Sequence, residues 1–104
     1  LTFDEPVEIC HWFVMNAGSE ESRYITKNFA LQYYNGTTWE NADVVTNNTI
    51  NKVNRSVTPF TAEKVRLQIN QGEQAGNTTR IWEFAVYGEN KTISIKRLRL
   101  PQTN

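Results

Sequence analysis

The stretch Lys64-Val65-Arg66-Leu67-Gln68-Ile69 alternates polar and apolar side chains without a break. Successive side chains on a strand point to opposite faces, so this run has the pattern of a strand with one wet face and one buried face. A helix would scatter Val65, Leu67 and Ile69 around its axis. The rest of the chain follows suit. Residues 7–15 are rich in β-branched and aromatic types and predict a strand, as do residues 29–34. Asn35-Gly36 follows, the strongest short hairpin signal, since both central residues of the favoured two-residue turn take positive φ. The chain then returns through residues 37–40. Residues 57–60 predict a short strand, and Pro59, with no N–H to donate, belongs at an edge or a strand end. Residues 81–87 form the last strand, ended by Gly88. Between these runs, residues 16–28, 43–53 and 71–79 are polar and read as loops. No amphipathic helix, internal repeat or low-complexity tract interrupts the series. Short strands at this spacing imply an all-β fold, an antiparallel β-sandwich or barrel.

If successive strands run antiparallel, the chain connections alternate between two poles. The Asn35-Gly36 turn and a corner at Pro59 then share one pole. The longer polar loops, around residues 16–28, 44–53 and 70–80, share the other. Three long loops on a rigid sandwich are where binding sites usually sit.

A chain of 104 residues suits one domain. Its 38% hydrophobic content is enough for one core and too much for a disordered chain. Eleven basic residues balance eleven acidic ones, which leaves no general footprint for nucleic acid or an anionic membrane. The run Lys96-Arg97-Leu98-Arg99 is a local exception. No apolar run approaches the ~20 residues needed for a bilayer-spanning helix. One cysteine, Cys10, excludes an intrachain disulfide, and its place in an apolar run fits an inert, half-buried thiol. Five Asn-x-Ser/Thr triplets begin at Asn35, Asn47, Asn54, Asn77 and Asn90. They fit an exported protein with a polar surface, or follow by coincidence from the abundance of Asn and Thr.

Enzyme chemistry has little to stand on. His11 is the single histidine, sits mid-strand, and has no recognisable nucleophile beside it. Glu20-Glu21 are adjacent loop carboxylates, whereas glycosidase carboxylates face each other across a bond. Sugar binding asks for an aromatic platform and planar polar groups. The three loops offer Asn16, Glu20, Arg23, Tyr24, Asn47, Asn48, Gln71, Gln74, Asn77 and Arg80. Tyr24 is the one aromatic plainly in a loop, although it could equally fold over the rim of the core. Trp12, Trp39 and Trp82 lie in or beside strands and are expected in the core.

Four stretches carry a family resemblance. Phe29-Ala30-Leu31-Gln32-Tyr33-Tyr34-Asn35-Gly36-Thr37-Thr38-Trp39 resembles the strand–turn–Trp signature of the discoidin family, also called the coagulation-factor type C family. Residues 60–67 resemble its "pvtaryvRL" strand and residues 80–88 its closing "RIyElevyG" strand. Asn16-Ala17-Gly18 is similar to the "hAG" step of the branch attached to bacterial glycoside hydrolases. The pieces keep the family's order over residues 1–88. The resemblance implies a jelly-roll sandwich of the galactose-binding-domain type. It implies a non-catalytic carbohydrate-binding accessory module of a secreted or cell-surface bacterial protein, a glycoside hydrolase by this branch, with a galactose-type or N-glycan sugar as ligand. It also implies a structural Ca²⁺ in many members, held by the opening loop and by a Glu that aligns with Glu83; Arg66 or Arg80 could pair with Glu83 instead.

The family's opening "DG…W" loop has no counterpart here, and residues 1–6 resemble its later "lDLg" segment. The expected partner is therefore a missing N-terminal segment or a neighbouring catalytic domain. Residues 89–104 read as a tail, a linker or an added edge strand. A domain that packs against a catalytic neighbour and binds no sugar is the alternative. Membrane-surface adhesion, as in the coagulation-factor branch, would want apolar spikes that these polar loops lack.

Overall fold

The computed structural model describes residues 1–19, 24–73, 79–88 and 96–98. Six strands are present among them: β1 (Thr2–Asn16), β2 (Thr26–Tyr34), β3 (Trp39–Val45), β4 (Lys52–Glu73), β5 (Ile81–Tyr87) and β6 (Lys96–Leu98). They lie in the order β3-β2-β4-β1-β5-β6, with every neighbouring pair antiparallel. The architecture is the expected antiparallel β-sandwich.

One strand makes it a sandwich. Residues 52–64 of β4 pair with β1, from Met15↔Lys52 to Thr2↔Lys64. Residues 65–73 pair with β2, from Tyr33↔Val65 to Thr26↔Glu73. Both ends of β4 therefore return to the same pole, beside the end of β1 and the start of β2. β1, β5, β6 and the first half of β4 form the first layer; β2, β3 and the second half of β4 form the second. The separate strands expected at 57–60 and 64–69 are parts of this single 22-residue strand. Pro59 is not a corner. It lies where the register with β1 slips between Ile9↔Phe60 and His11↔Ser56, a bulge on a strand half whose outer edge has no paired strand among the described residues, where a missing N–H costs no ladder bond.

Other boundaries also shift. Asp43, Val44 and Val45 belong to β3, so the loop expected from 43 begins at 46. The β2–β3 turn spans residues 35–38, with Tyr34 opposite Trp39. Gly36 has φ +102°, but Asn35 keeps a negative φ. The reason is local: the Asn35 side-chain oxygen accepts from the N–H groups of Thr37 (2.8 Å) and Thr38 (2.9 Å), so the side chain closes the turn in place of a second left-handed residue.

The core lies between the layers. Trp12, Val14, Phe84 and Val86 face inward from the first, and Phe29, Leu31 and Val65 from the second, all buried. Trp12 meets Phe29 edge-on at 5.9 Å between ring centroids. Trp12 follows the sequence expectation; Trp39 and Trp82 depart from it and stay partly exposed. On the outer face of the first layer, the Asn54 side-chain oxygen accepts from His11 Nε2, leaving Nδ1 to accept from the Ser56 hydroxyl at 3.2 Å. The single histidine is thus held by its strand neighbours.

Asp43 on β3 ties the two layers together. Its carboxylate accepts from the indole N–H of Trp12 (2.9 Å), from Arg55 Nε (2.6 Å) and from Arg55 Nη2 (2.9 Å). Burial pushes the Asp43 carboxyl up; the Arg55 hydrogen bond, then that of Trp12, the Arg55 charge and a backbone bond at Val44 outweigh it, and the net pKa falls below 3.8. Replacing Asp43 with Ala leaves the buried Trp12 N–H without an acceptor and should cost about 1–3 kcal/mol. Asp43→Asn keeps an oxygen for Trp12 but turns an amide N–H toward Arg55, so it loses the charge and one hydrogen bond to a half-exposed guanidinium, for about 1–2 kcal/mol. Because folding depresses this pKa, the charge contribution is present above pH 3.8 and is lost as pH falls through the lower folded value. Urea unfolding at neutral and acid pH checks both: the gap between wild type and Asp43→Asn should close below pH 3.8.

Candidate functional site

Three connections meet at the pole where both ends of β4 return. Among the described residues they are 17–19 with 24–25, residues 46–51 and the approach to β5 at residues 79–80. Buried asparagines hold them. Asn16, wholly buried, donates from Nδ2 to the Asn51 carbonyl (3.1 Å) and accepts on Oδ1 from the Thr26 N–H (3.2 Å). Its own N–H also reaches the Asn51 carbonyl, at 2.9 Å. Asn51 in turn accepts on its side chain from the Gly18 N–H at 2.6 Å. Asn48 donates from Nδ2 to the carbonyls of Thr26 (3.0 Å) and Ile50 (2.9 Å) and accepts from the Ile50 N–H (3.1 Å). Asn47 takes φ +51°, which Asn tolerates better than most residues, and its N–H donates to Asn28 Oδ1 at 2.8 Å. Asn28 then donates to Gln71 at 2.6 Å.

Asn16 and Asn48 thus frame the pole from within rather than line its surface. Their polar atoms are spent on the loop backbones. Glu20, Arg23, Gln74 and Asn77 lie outside the described residues. Tyr24 and Arg80 come together: the guanidinium carbon sits 3.9 Å from the centroid of the half-buried Tyr24 ring, a close cation–π stack between two different connections. Of the residues read from the loops, this pair offers both an aromatic plane and planar donors.

Glu83 is buried in β5, opposite Met15 and therefore on the face away from Phe84 and Val86. Arg66 lies on the other layer, engaged with Gln32 and Trp39, and is not its counterion. For calcium, Glu83 offers one carboxylate, a hard oxygen ligand of one or two atoms. Among the described residues no group of three or more His, Cys, Asp or Glu side chains gathers as a metal cluster. These residues do not by themselves build a calcium cage.

No protein-family model matches the chain, and no curated protein matches it. Among solved structures it is similar to the family 32 carbohydrate-binding module from Streptococcus pneumoniae EndoD, with a TM-score of 0.74 and 22% sequence identity. The match covers 85% of this chain and 66% of that one, so the chain spans just under two thirds of the module's length. At this identity the likeness establishes the fold.

Gly18 locates the tightest point of the frame. A Cβ there would stand 2.7 Å from Asn51 Oδ1 and 2.8 Å from Ile25 Cγ1. Gly18→Ala should therefore push Asn51 out of its bonds and cost about 1–3 kcal/mol, and Asn48→Ala should cost a similar amount through three orphaned backbone groups. Denaturant titration of both variants checks this; loss below about 0.5 kcal/mol in each would mean the frame is held by other contacts.

Proposed function

We propose that the chain is a non-catalytic carbohydrate-binding module of a secreted bacterial protein, and that glycan binds at the three-loop pole. The observation that carries this reading is the Tyr24–Arg80 stack, displayed by two connections on a rigid sandwich whose fold is that of a carbohydrate-binding module. Aromatic carbon accepts the apolar face of a pyranose, and a guanidinium donates to its hydroxyls. The Asn16 and Asn48 bonds hold the connections before any ligand arrives, which lowers the entropy cost of binding. A galactose-type or N-glycan sugar and a host glycoside hydrolase extend the same proposal, with a neighbouring domain or upstream segment as partner. So does a calcium ion on Glu83, whose presence would raise the melting temperature on calcium titration.

A glycan array followed by calorimetric titration of the best hit tests the site. Tyr24→Ala should lower affinity about 30-fold, the equivalent of about 2 kcal/mol for a central anchor. Arg80→Ala should lower it about tenfold or less. Unchanged affinity in both variants, with the melting temperature retained, would move the site elsewhere. Absence of any glycan ligand would leave the domain an interaction module.

A further inference from the structure

The outer face of the second layer carries a cluster that the loop pole does not use. Tyr34 and Trp39, paired across the β2–β3 hairpin, have ring centroids 5.5 Å apart at 57°. The Arg66 guanidinium carbon lies 4.2 Å from the Trp39 centroid, and Lys64 Nζ lies 5.4 Å from that of Tyr34. Arg66 Nε donates to Gln32 Oε1 at 2.8 Å, and Gln32 Nε2 donates to Asn41 Oδ1 at 2.8 Å. That relay fixes the guanidinium by one nitrogen. Its two terminal nitrogens, the Trp39 indole N–H, the Tyr34 hydroxyl and the Lys64 ammonium have no hydrogen-bond partner among the described residues. The cluster holds two positive charges and no negative one. An open groove of about 390 Å³ adjoins it, walled by Tyr34 and Lys64 and continued by Asn35, Gly36, Thr61 and Glu63. Nothing lies within 4 Å of where a Cβ on Gly36 would stand, so the groove is open at the hairpin turn.

We propose that this face is a second saccharide site, at the pole opposite the loops, and that it takes an acidic saccharide bearing carboxylate or sulfate groups. The inference does not rest on the loop-pole reading. Indole and phenol rings supply apolar planes for a pyranose face. The held guanidinium presents two parallel N–H groups, the geometry that carboxylates and sulfates accept, and Lys64 adds a point charge beside it. The groove, at about 390 Å³, has room for a neighbouring ring. Glu63 on its wall directs the acid group toward Arg66 and leaves sugar hydroxyls at the groove end. A neutral glycan would leave both cations without a counter-charge, which is why the acidic class is favoured.

Calorimetry on the full chain with an oligogalacturonate, a heparin-derived oligosaccharide and a neutral galacto-oligosaccharide tests the proposal. At least one acidic probe should bind, with affinity falling as salt rises, and the tighter of the two names the anionic group. The K64Q/R66Q double variant should weaken that probe at least tenfold with its melting temperature retained. Lys52→Gln, a comparable exposed cation on the other layer, should change nothing. Trp39→Phe should retain part of the affinity that Trp39→Ala loses. Failure of both acidic probes to bind at millimolar concentration, or wild-type affinity in the double variant, overturns the proposal. So does tighter binding of a short single-stranded oligonucleotide than of either acidic saccharide.

Discussion

β4 gives its first half to one layer and its second half to the other, and both of its ends finish at the same pole. A strand shared in this way removes the need for a connecting loop at the far pole. It also fixes which connections must meet at the near one. The end of β1, the start of β2 and both ends of β4 arrive together, so the loops that follow them have no other place to go. The Asp43 bridge closes the open side of the same frame. A carboxylate on the edge strand β3 is held by a core indole and a guanidinium from the opposite layer, which pins the distance between layers at the core's widest side chain. The arrangement keeps the buried indole N–H satisfied and leaves Arg55 half in water, where its desolvation cost stays small.

The asparagines that look most like ligand donors in the sequence have a different task. A loop packed onto a sandwich end buries backbone groups that no strand can pair, and each unpaired one costs about 1–3 kcal/mol. Asn carries an acceptor and two donors on a short side chain, so Asn16 and Asn48 each serve two or more backbone groups at once, while Asn51 accepts from the Gly18 N–H. A side chain spent in this way has nothing left for a sugar. Tyr24 and Arg80 are placed differently: a guanidinium from one connection stacks on a ring from another, 3.9 Å from its centroid.

The inner-face alternation at Val65, Leu67 and Ile69 was legible in the sequence, and so was the meeting of the long loops, although through a corner at Pro59 that does not exist. The continuity of β4 was not legible, because Pro59 and the polar residues around it read as punctuation when the bulge that accommodates them is set by pairing with β1. Trp39 shows how a tertiary relation can still be recovered. Phe29, Leu31 and Tyr33 alternate into the core, which leaves Tyr34 outside; a hairpin at Asn35-Gly36 then sets Trp39 opposite Tyr34, and so outside as well. Treating a tryptophan as core by type overrode a signal that the alternation already carried. The asparagine frame had no such signal, since the partners that join one connection to another, those of Asn16 and the Thr26 carbonyl bonded by Asn48, lie 10 to 35 residues away in sequence.

The same alternation accounts for the two ends of the molecule having different chemistry. At the loop pole the chain is irregular, and display depends on side chains that first satisfy the backbone. On the outer face of the second layer β2 is paired on both sides, by β3 and by β4, so the ladders rather than loop bonds set which side chains face outward. Six residues there, from Gln32 to Arg66, fall on one surface without loop ordering to overcome, and their mutual contacts hold them against a sheet rather than a turn. Ordering entropy is the term that weakens shallow sites most, and a strand-borne cluster has largely met it on folding. Under the two proposals, a flat, cation-bearing aromatic face of this kind would take an extended, charged chain rather than a single enclosed sugar, and the converging loops a chain end or a branch.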